Sequence, residues 1–245
     1  MHQDLANSTF RIQCGASSGS GFSYRKDSIV VTNHHVIEPN LVSGQNIVAI
    51  TENGIQINAK LLAYSDKTKY DFAILELQDV LPANRIVLEP ELSALYDRGE
   101  EIIFAGFPHG IHDLLVNEAI VSGPVKQHAF YIDGSVNGGN SGGPIISKSN
   151  GKIIGIVTQR RFLGGQHIQA LGQQVAQLSN HCAGIAKQGS VQIMGIDFGS
   201  FANMMAQGLA AMSQVIEANA NSGIGIGFQI QFVNAEFDRL GLKGV

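Results

Sequence analysis

Short runs of Val, Ile and Leu, each cut off by a turn signal, fill the chain from Phe10 to Gln159. SIVVTN (28–33), NIVAITENGIQINAKLLAY (46–64), YDFAILEL (70–77) and RIVLE (85–89) are broken by GSG, PN, SG, NG and LPAN. EIIFAGF (101–107), LLVNEAIVSG (114–123), AFYIDG (129–134), PIIS (144–147) and KIIGIVTQ (152–159) continue the style. Runs of this length and composition, separated by turn residues, read as strands. Many of them at close spacing point to a sandwich or a barrel. Asn53-Gly54 and Asn150-Gly151 each lie between two apolar runs, as two-residue hairpin turns do. The segment PELSALYDRGE (90–100) is the best boundary between halves, which gives an N-terminal unit over 1–95 and a C-terminal unit over 96–245.

The pattern changes between 161 and 222. In QHIQALGQQVAQLSNHC, the residues Ile168, Leu171, Val175, Leu178 and Cys182 follow helical spacing. In SFANMMAQGLAAMSQVIEANA, so do Phe201, Met204, Met205, Leu209, Met212 and Ile216, with Ser200 as the expected N-cap. GIGIGFQIQFV then returns to strand character. The expectation is an all-β chain interrupted by a helical insertion near 161–222.

Composition excludes several classes. Hydrophobic residues make up 44% and charged residues 15% of the 245, enough for a packed core and too apolar for disorder. The formal charge is −4 and no Lys/Arg cluster exceeds two adjacent residues, so nothing favours nucleic acid or an acidic membrane. The longest apolar runs, such as IIGIV (153–157), are far too short to span a bilayer. No basic region followed by an apolar one opens the chain. The expected compartment is the cytoplasm if the sequence is complete, and the periplasm or the exterior if it is a segment of a longer one. Cys14 and Cys182 allow one disulfide or two free thiols.

The stretch GGNSGGP (138–144) packs four glycines around Ser141. A serine hydroxyl is a poor nucleophile until a base takes its proton. In acyl transfer the substrate oxygen also gains charge, and backbone N–H groups must point at it. They converge only if the chain turns sharply beside the nucleophile, with no side chains blocking the substrate carbonyl. One such donor is worth roughly 3 kcal/mol in the transition state, a reason to accept costly glycines. The plain alternative is a glycine-rich turn carrying an ordinary serine. It is not a P-loop, because no Lys-Ser/Thr pair follows. A nucleophilic Ser141 needs a base and an orienting acid. TNHHV (32–36) ends an apolar run, and Asp71 precedes another, which gives the chain order His, Asp, Ser.

VTNHHV, DFAIL and GGNSGGP resemble the three catalytic segments of trypsin-like serine proteases, most closely the bacterial HtrA-type branch. GSGF (19–22), FAGFPHG (104–110), AIVSG (119–123), GKIIGIVTQ (151–159) and GIGIGFQI (223–230) resemble further segments in the same order. The resemblance implies two perpendicular six-stranded β-barrels with the site between them and a short C-terminal helix, NAEFDRLGL. It implies His35, the third residue after Thr32, as general base. It implies Asp71 as orienting acid and Ser141 as nucleophile, with the N–H groups of Gly139 and Ser141 as oxyanion donors. Substrate would lie extended against Val157, Thr158 and Gln159. No cofactor and no metal is implied; the substrate is a protein or peptide, and the family can oligomerise.

Asn140 stands where digestive-type relatives carry an aspartate, so activation by N-terminal cleavage is not expected. The resembled HtrA-type proteins usually carry a C-terminal peptide-binding domain that this sequence does not show. Ser135 lies where an acidic residue would favour basic substrates, and Ile156, Ile226 and Phe228 suggest a modest apolar pocket; cleavage after small aliphatic residues is expected. The 161–222 insertion is either a lid or partner-docking element, or an ornament packing its Met-rich stripe on the barrel. His109, His112 and Asp113 are either a loop or part of a metal site. Two other functions stay open beside the endopeptidase: a catalytically silent module that binds peptides or partners, and an esterase.

Overall fold

The computed structural model describes residues 1–81, 85–92, 96–126, 128–162, 165–219 and 221–242. After a short helix α1 (His2–Ser8) come β1 (Thr9–Cys14), β2 (Ser17–Tyr24) and β3 (Lys26–Thr32), then α2 (His34–Ser43). Three further strands follow: β4 (Ile47–Ile50), β5 (Gln56–Ser65) and β6 (Phe72–Leu77). These six strands close into one barrel, in the order β1-β2-β3-β6-β5-β4. A second six-stranded barrel begins with β7 (Glu101–Gly106), β8 (Leu115–Lys126), β9 (Ala129–Asp133), β10 (Pro144–Ser147) and β11 (Ile153–Phe162). The chain then makes α3 (Gly165–Lys187), the ribbon β12 (Gln192–Ile193) and β13 (Ile196–Asp197), and α4 (Phe198–Asn219). It returns with β14 (Asn221–Gln229), which joins the second barrel in the order β10-β11-β14-β9-β8-β7, and ends in α5 (Gln231–Arg239). By contacts the chain forms two compact units, 1–161 with 223–245, and 162–222.

The unbroken apolar runs have a physical reason. Strands buried on one face alternate apolar and polar, whereas strands buried on both faces do not. In β3, Val30 points into the first barrel's core while Ile29 and Val31 point into a core shared by the two barrels. In β6, Ala73 and Leu75 face inward, and Phe72 and Ile74 face the shared core. In β7, Ile102 and Phe104 fill the second barrel while Ile103 and Ala105 turn outward to the seam. α1 adds Leu5 and α5 adds Val233 and Phe237 to that seam. Each such buried Phe, Leu or Ile contributes roughly 1.5–3 kcal/mol, which holds the two barrels together along this seam.

The Asn53-Gly54 turn joins β4 to β5, and Asn150-Gly151 lies between β10 and β11, with Gly54 at φ 82° and Gly151 at φ 71°. RIVLE, expected as a strand, is instead a strap between barrels. Leu88 bridges Tyr24 of β2, and Pro90 bridges Ile153 of β11. Its hydrogen bonds alternate between the two barrels: Leu88 N–H donates to Ser23 and Ile153 N–H donates to Glu89. A segment that serves both barrels in turn cannot extend a ladder in either. α2 was also unexpected. Cys14 and Cys182 are both free thiols, and burial pushes the Cys14 thiol up. The N-cap of α4 is not Ser200: Ser200 N–H donates to Asp197 Oδ1 at 2.6 Å, so Asp197 caps the helix one turn earlier.

Candidate active site

The first barrel supplies a carboxylate and an imidazole. Asp71 opens β6, buried, at φ 46°, a left-handed conformation that aspartate tolerates better than most residues. The turn that delivers it is tied down by Asp66, whose carbonyl accepts from the N–H groups of Lys69, Tyr70 and Asp71. On the facing side β3 ends at Thr32, Asn33 caps α2, and His35 occupies the first turn. Asp71 Oδ1 accepts the His35 N–H at 3.1 Å, and Oδ2 lies 2.7 Å from His35 Nδ1. The carboxylate thus takes an orphan donor of the helix start, where negative charge is favoured, and holds the ring of the same residue. Asn33 does not cap with its side chain; its Nδ2 donates to the Asp71 carbonyl at 2.6 Å. Asp71 Oδ2 also accepts from Thr158 Oγ1 at 2.6 Å. The buried carboxylate thus has the His35 N–H, His35 Nδ1 and the Thr158 hydroxyl as partners, which offsets the cost of burying so polar a group.

The second barrel supplies the serine. Ser141 Oγ donates to the Thr158 carbonyl at 3.0 Å, and Ser141 is partly exposed. Thr158 therefore touches both Asp71 and Ser141, with its hydroxyl and its carbonyl. The glycines of GGNSGGP are dictated by close backbone. A Cβ on Gly142 (φ 87°) would strike the Ser20 carbonyl, with Thr32 Oγ1 at 2.5 Å and Asn33 N at 3.0 Å. A Cβ on Gly143 would strike the Ala105 carbonyl, and one on Gly139 (φ 94°) the Phe107 carbonyl. The serine loop is thus pressed against the end of β3, beside the start of α2.

Ser20, buried in β2, pins that loop. Its N–H donates to the Ser141 carbonyl at 2.7 Å, and its Oγ donates to the Gly139 carbonyl at 2.7 Å. The same Oγ accepts the Phe107 N–H at 3.0 Å, and the Ser20 carbonyl accepts Thr32 Oγ1 at 2.6 Å. Ser20 Oγ is paired with a residue 119 positions away, which no local pattern announces. The only trace in the sequence is a serine between two glycines inside a strand. Gly19 is needed because a Cβ there would meet Val36 Cγ2 at 2.5 Å and the Ser141 carbonyl at 2.8 Å.

The His109 N–H donates to the Gly138 carbonyl at 2.7 Å. In a trans peptide the carbonyl and the following N–H point in opposite directions, so this bond turns the Gly139 N–H away from the 107–110 loop. Among the described residues the N–H groups of Gly139 and Ser141 have no protein acceptor. Two unpaired backbone donors so close in the chain can receive an acceptor oxygen.

The pocket residues fall into different settings. Ile156 and Val157 are buried in apolar cores, and Ile226 is buried as well. Ser135 is exposed. Phe228 is half-buried with its ring 5.5 Å from His128. The Val157 N–H donates to Gly143 and its carbonyl accepts from Gly142. The side chain of Gln159 lies outside the described residues. His109 lies on the serine loop, with Nε2 3.3 Å from the Ser18 carbonyl. Among the described residues no group of three His, Cys, Asp or Glu side chains is arranged to hold a metal ion.

The chain is similar to known serine endoproteases. A probable periplasmic serine endoprotease DegP-like of Bartonella henselae is 31% identical over 147 residues, covering 57% of this chain and 27% of that protein. The serine endoprotease DegS of Haemophilus influenzae is 30% identical over 149 residues, covering 57% of this chain and 41% of that protein. The crystal structure of a serine endoprotease from Yersinia pestis shares the fold, with a TM-score of 0.55 at 22% identity over 66% of this chain and 58% of that one. The chain spans well under half the length of these curated relatives. A family model described as the trypsin-like peptidase domain matches residues 19–156, a span that takes in the Ser20 strand, His35, Asp71 and Ser141. The chain belongs to the trypsin-like peptidase family.

Proposed function

We propose that the protein is a serine endopeptidase that hydrolyses peptide bonds through Ser141, His35 and Asp71. The observation that carries this reading is the buried Asp71 carboxylate holding both the backbone N–H and the Nδ1 of His35, with Thr158 linking that carboxylate to Ser141 in its loop. Asp71 fixes the tautomer with the proton on Nδ1, which leaves Nε2 as the base. His35 takes the Ser141 proton as Oγ attacks the scissile carbonyl. The carbonyl oxygen becomes an oxyanion, and the free N–H groups of Gly139 and Ser141 receive it. The imidazolium then gives its proton to the leaving amine, and water repeats the sequence on the acyl-enzyme.

In this reading the first barrel carries base and acid and the second carries the nucleophile, so substrate lies between them. An extended peptide can pair with β11 only beyond Val157, because Gly142 and Gly143 already occupy that residue's backbone groups. Ser135 and Phe228 remain the side chains that set the preference for the residue before the cut, a small aliphatic one. The relatives that are named periplasmic make the periplasm or the exterior the compartment that fits this reading; no described helix is long and apolar enough to cross a membrane.

One observation favours a second reading, a silent peptide-binding module: the Ser141 hydroxyl donates to Thr158 rather than to His35. A partly exposed serine changes rotamer in picoseconds to nanoseconds, so that bond does not lock the nucleophile. Cleavage of an unfolded protein substrate separates the two readings. The endopeptidase cuts it and loses the activity in both Ser141→Ala and His35→Ala. Binding without cleavage in the unaltered protein is the outcome that sinks the proposal.

A further inference from the structure

The 162–222 unit carries three charged residues, Lys187, Asp197 and Glu217. Its two helices run antiparallel: Ser179 Oγ donates to the Ala206 carbonyl, and Gly172 lies opposite Ile216. The seam between them uses Gly172, Val175, Ser179, Cys182 and Ala186 on α3, and Ala202, Ala206, Leu209, Ser213 and Ile216 on α4, all buried or half-buried. The residue just before several of these positions is apolar and exposed. On α3 these are Leu171 (48%), Leu178 (50%) and Ile185 (41%). On α4 they are Phe201 (46%), Met205 (41%) and Met212 (54%). Met204, Met205 and Met212 of the Met-rich stripe are exposed.

One residue is about 100° of rotation around a helix. In an antiparallel pair, stepping back one residue from the seam turns both helices toward the same side. The two exposed rows therefore form one apolar face of the hairpin. Both rows keep a seven-residue repeat. Leu171, Leu178 and Ile185 are seven apart; so are Phe198, Met205 and Met212, with Phe201 at the intervening position. This is the period at which helices pack on helices. Gly208 continues the α4 row, and a Cβ there would meet nothing within 4 Å. A glycine in mid-helix costs about 1 kcal/mol, and here it leaves a hollow between Met205 and Met212.

We propose that this face docks against the same face of a second copy of the chain, so that two hairpins complete a four-helix bundle. The lack of charge selects this occupant. A helix that lies on a membrane carries Lys and Arg on its polar face to meet anionic lipid, and this unit has Lys187 alone. A charged protein partner finds no complement here. Two copies of an uncharged, heptad-spaced face meet without repulsion about a two-fold axis. A hairpin with one inner seam and one outer apolar face is half of a bundle. The proposal does not depend on the peptidase reading.

The test is sedimentation equilibrium of the full chain, unaltered and with Leu178→Glu and Met205→Glu together. The unaltered protein sediments as a dimer and the double variant as a monomer. Leu178→Gln with Met205→Gln, a milder change at exposed positions, weakens dimerisation at least tenfold. Circular dichroism of each variant reports that the helices remain. A monomeric unaltered protein overturns the proposal, and so does an oligomer that both well-folded pairs of substitutions leave intact. Flotation of a monomeric unaltered protein with phosphatidylcholine–phosphatidylglycerol vesicles overturns it in favour of a membrane surface.

Discussion

The Ser141 hydroxyl donates to the Thr158 carbonyl at 3.0 Å, while the Thr158 hydroxyl donates to Asp71 at 2.6 Å. One residue of β11 thereby touches Ser141 with its main chain and Asp71 with its side chain. Asp71 comes from the first barrel and Thr158 from the second. The bond between them runs from one barrel to the other and ties the placement of Asp71 to the packing of the two barrels.

Thr158→Val keeps shape and backbone but removes the hydroxyl from a buried carboxylate. Hydrogen bonds to charged groups are worth about 1.5–3 kcal/mol, and urea denaturation of the variant shows a loss in that range. The turnover number falls because the acid is less firmly held, while KM changes little. Thr158→Ser restores both. Equal turnover in Thr158→Val and the unaltered protein would remove Thr158 from the site.

Ser20→Ala leaves the Phe107 N–H without its acceptor and the Gly139 carbonyl without a donor. The buried unpaired groups cost about 1–3 kcal/mol. The larger effect is on the Gly139–Ser141 turn, proposed to receive the oxyanion, whose carbonyls Ser20 holds. A peptide boronate, which binds as a tetrahedral adduct, loses more affinity for the variant than a substrate-like peptide does. Equal losses for the two ligands would make Ser20 a purely structural residue.

Asp71→Asn keeps the volume and reverses the tautomer preference of His35. An Asn amide donates where the carboxylate accepted, so the proton is driven to Nε2 and the base is lost. The expected fall in turnover is about 10⁴. The variant is also less stable, because the start of α2 and the Thr158 hydroxyl lose a charged acceptor. Stopped-flow kinetics with an activated ester check the first effect and thermal unfolding the second.

The strands were legible because both faces of β3, β6, β7 and β11 are buried, which leaves runs such as IVV and IIF unbroken. The three proposed site segments stand out because a serine between glycines, a histidine at a strand end and an aspartate before a strand are local patterns, each weak alone, that together resemble one family's motifs in order. The contacts that hold the site do not. Thr158 reaches Asp71 across 87 positions and Ser20 Oγ reaches Gly139 across 119; spacing within a segment cannot encode such pairs. α2 escaped notice because its buried side is only His34, Val36 and Ile37, too short for a period, and Pro39 lies inside it. RIVLE misled because its apolar content fits a strand while its hydrogen bonds are shared between barrels. Ser200 misled because capping depends on side-chain geometry, and the carboxylate of Asp197 lies closer to the free N–H groups. Helical spacing in 166–216 gives one stripe per helix, whereas the structure separates a seam row from an exposed row one residue before it.

The most direct test is covalent. Incubation with a fluorophosphonate, followed by digestion and mass spectrometry, locates the attacked oxygen. The account predicts one adduct, on Ser141, forming at least a thousandfold more slowly in His35→Ala. An adduct on another serine, or labelling of Ser141 that His35→Ala leaves at full rate, would contradict it.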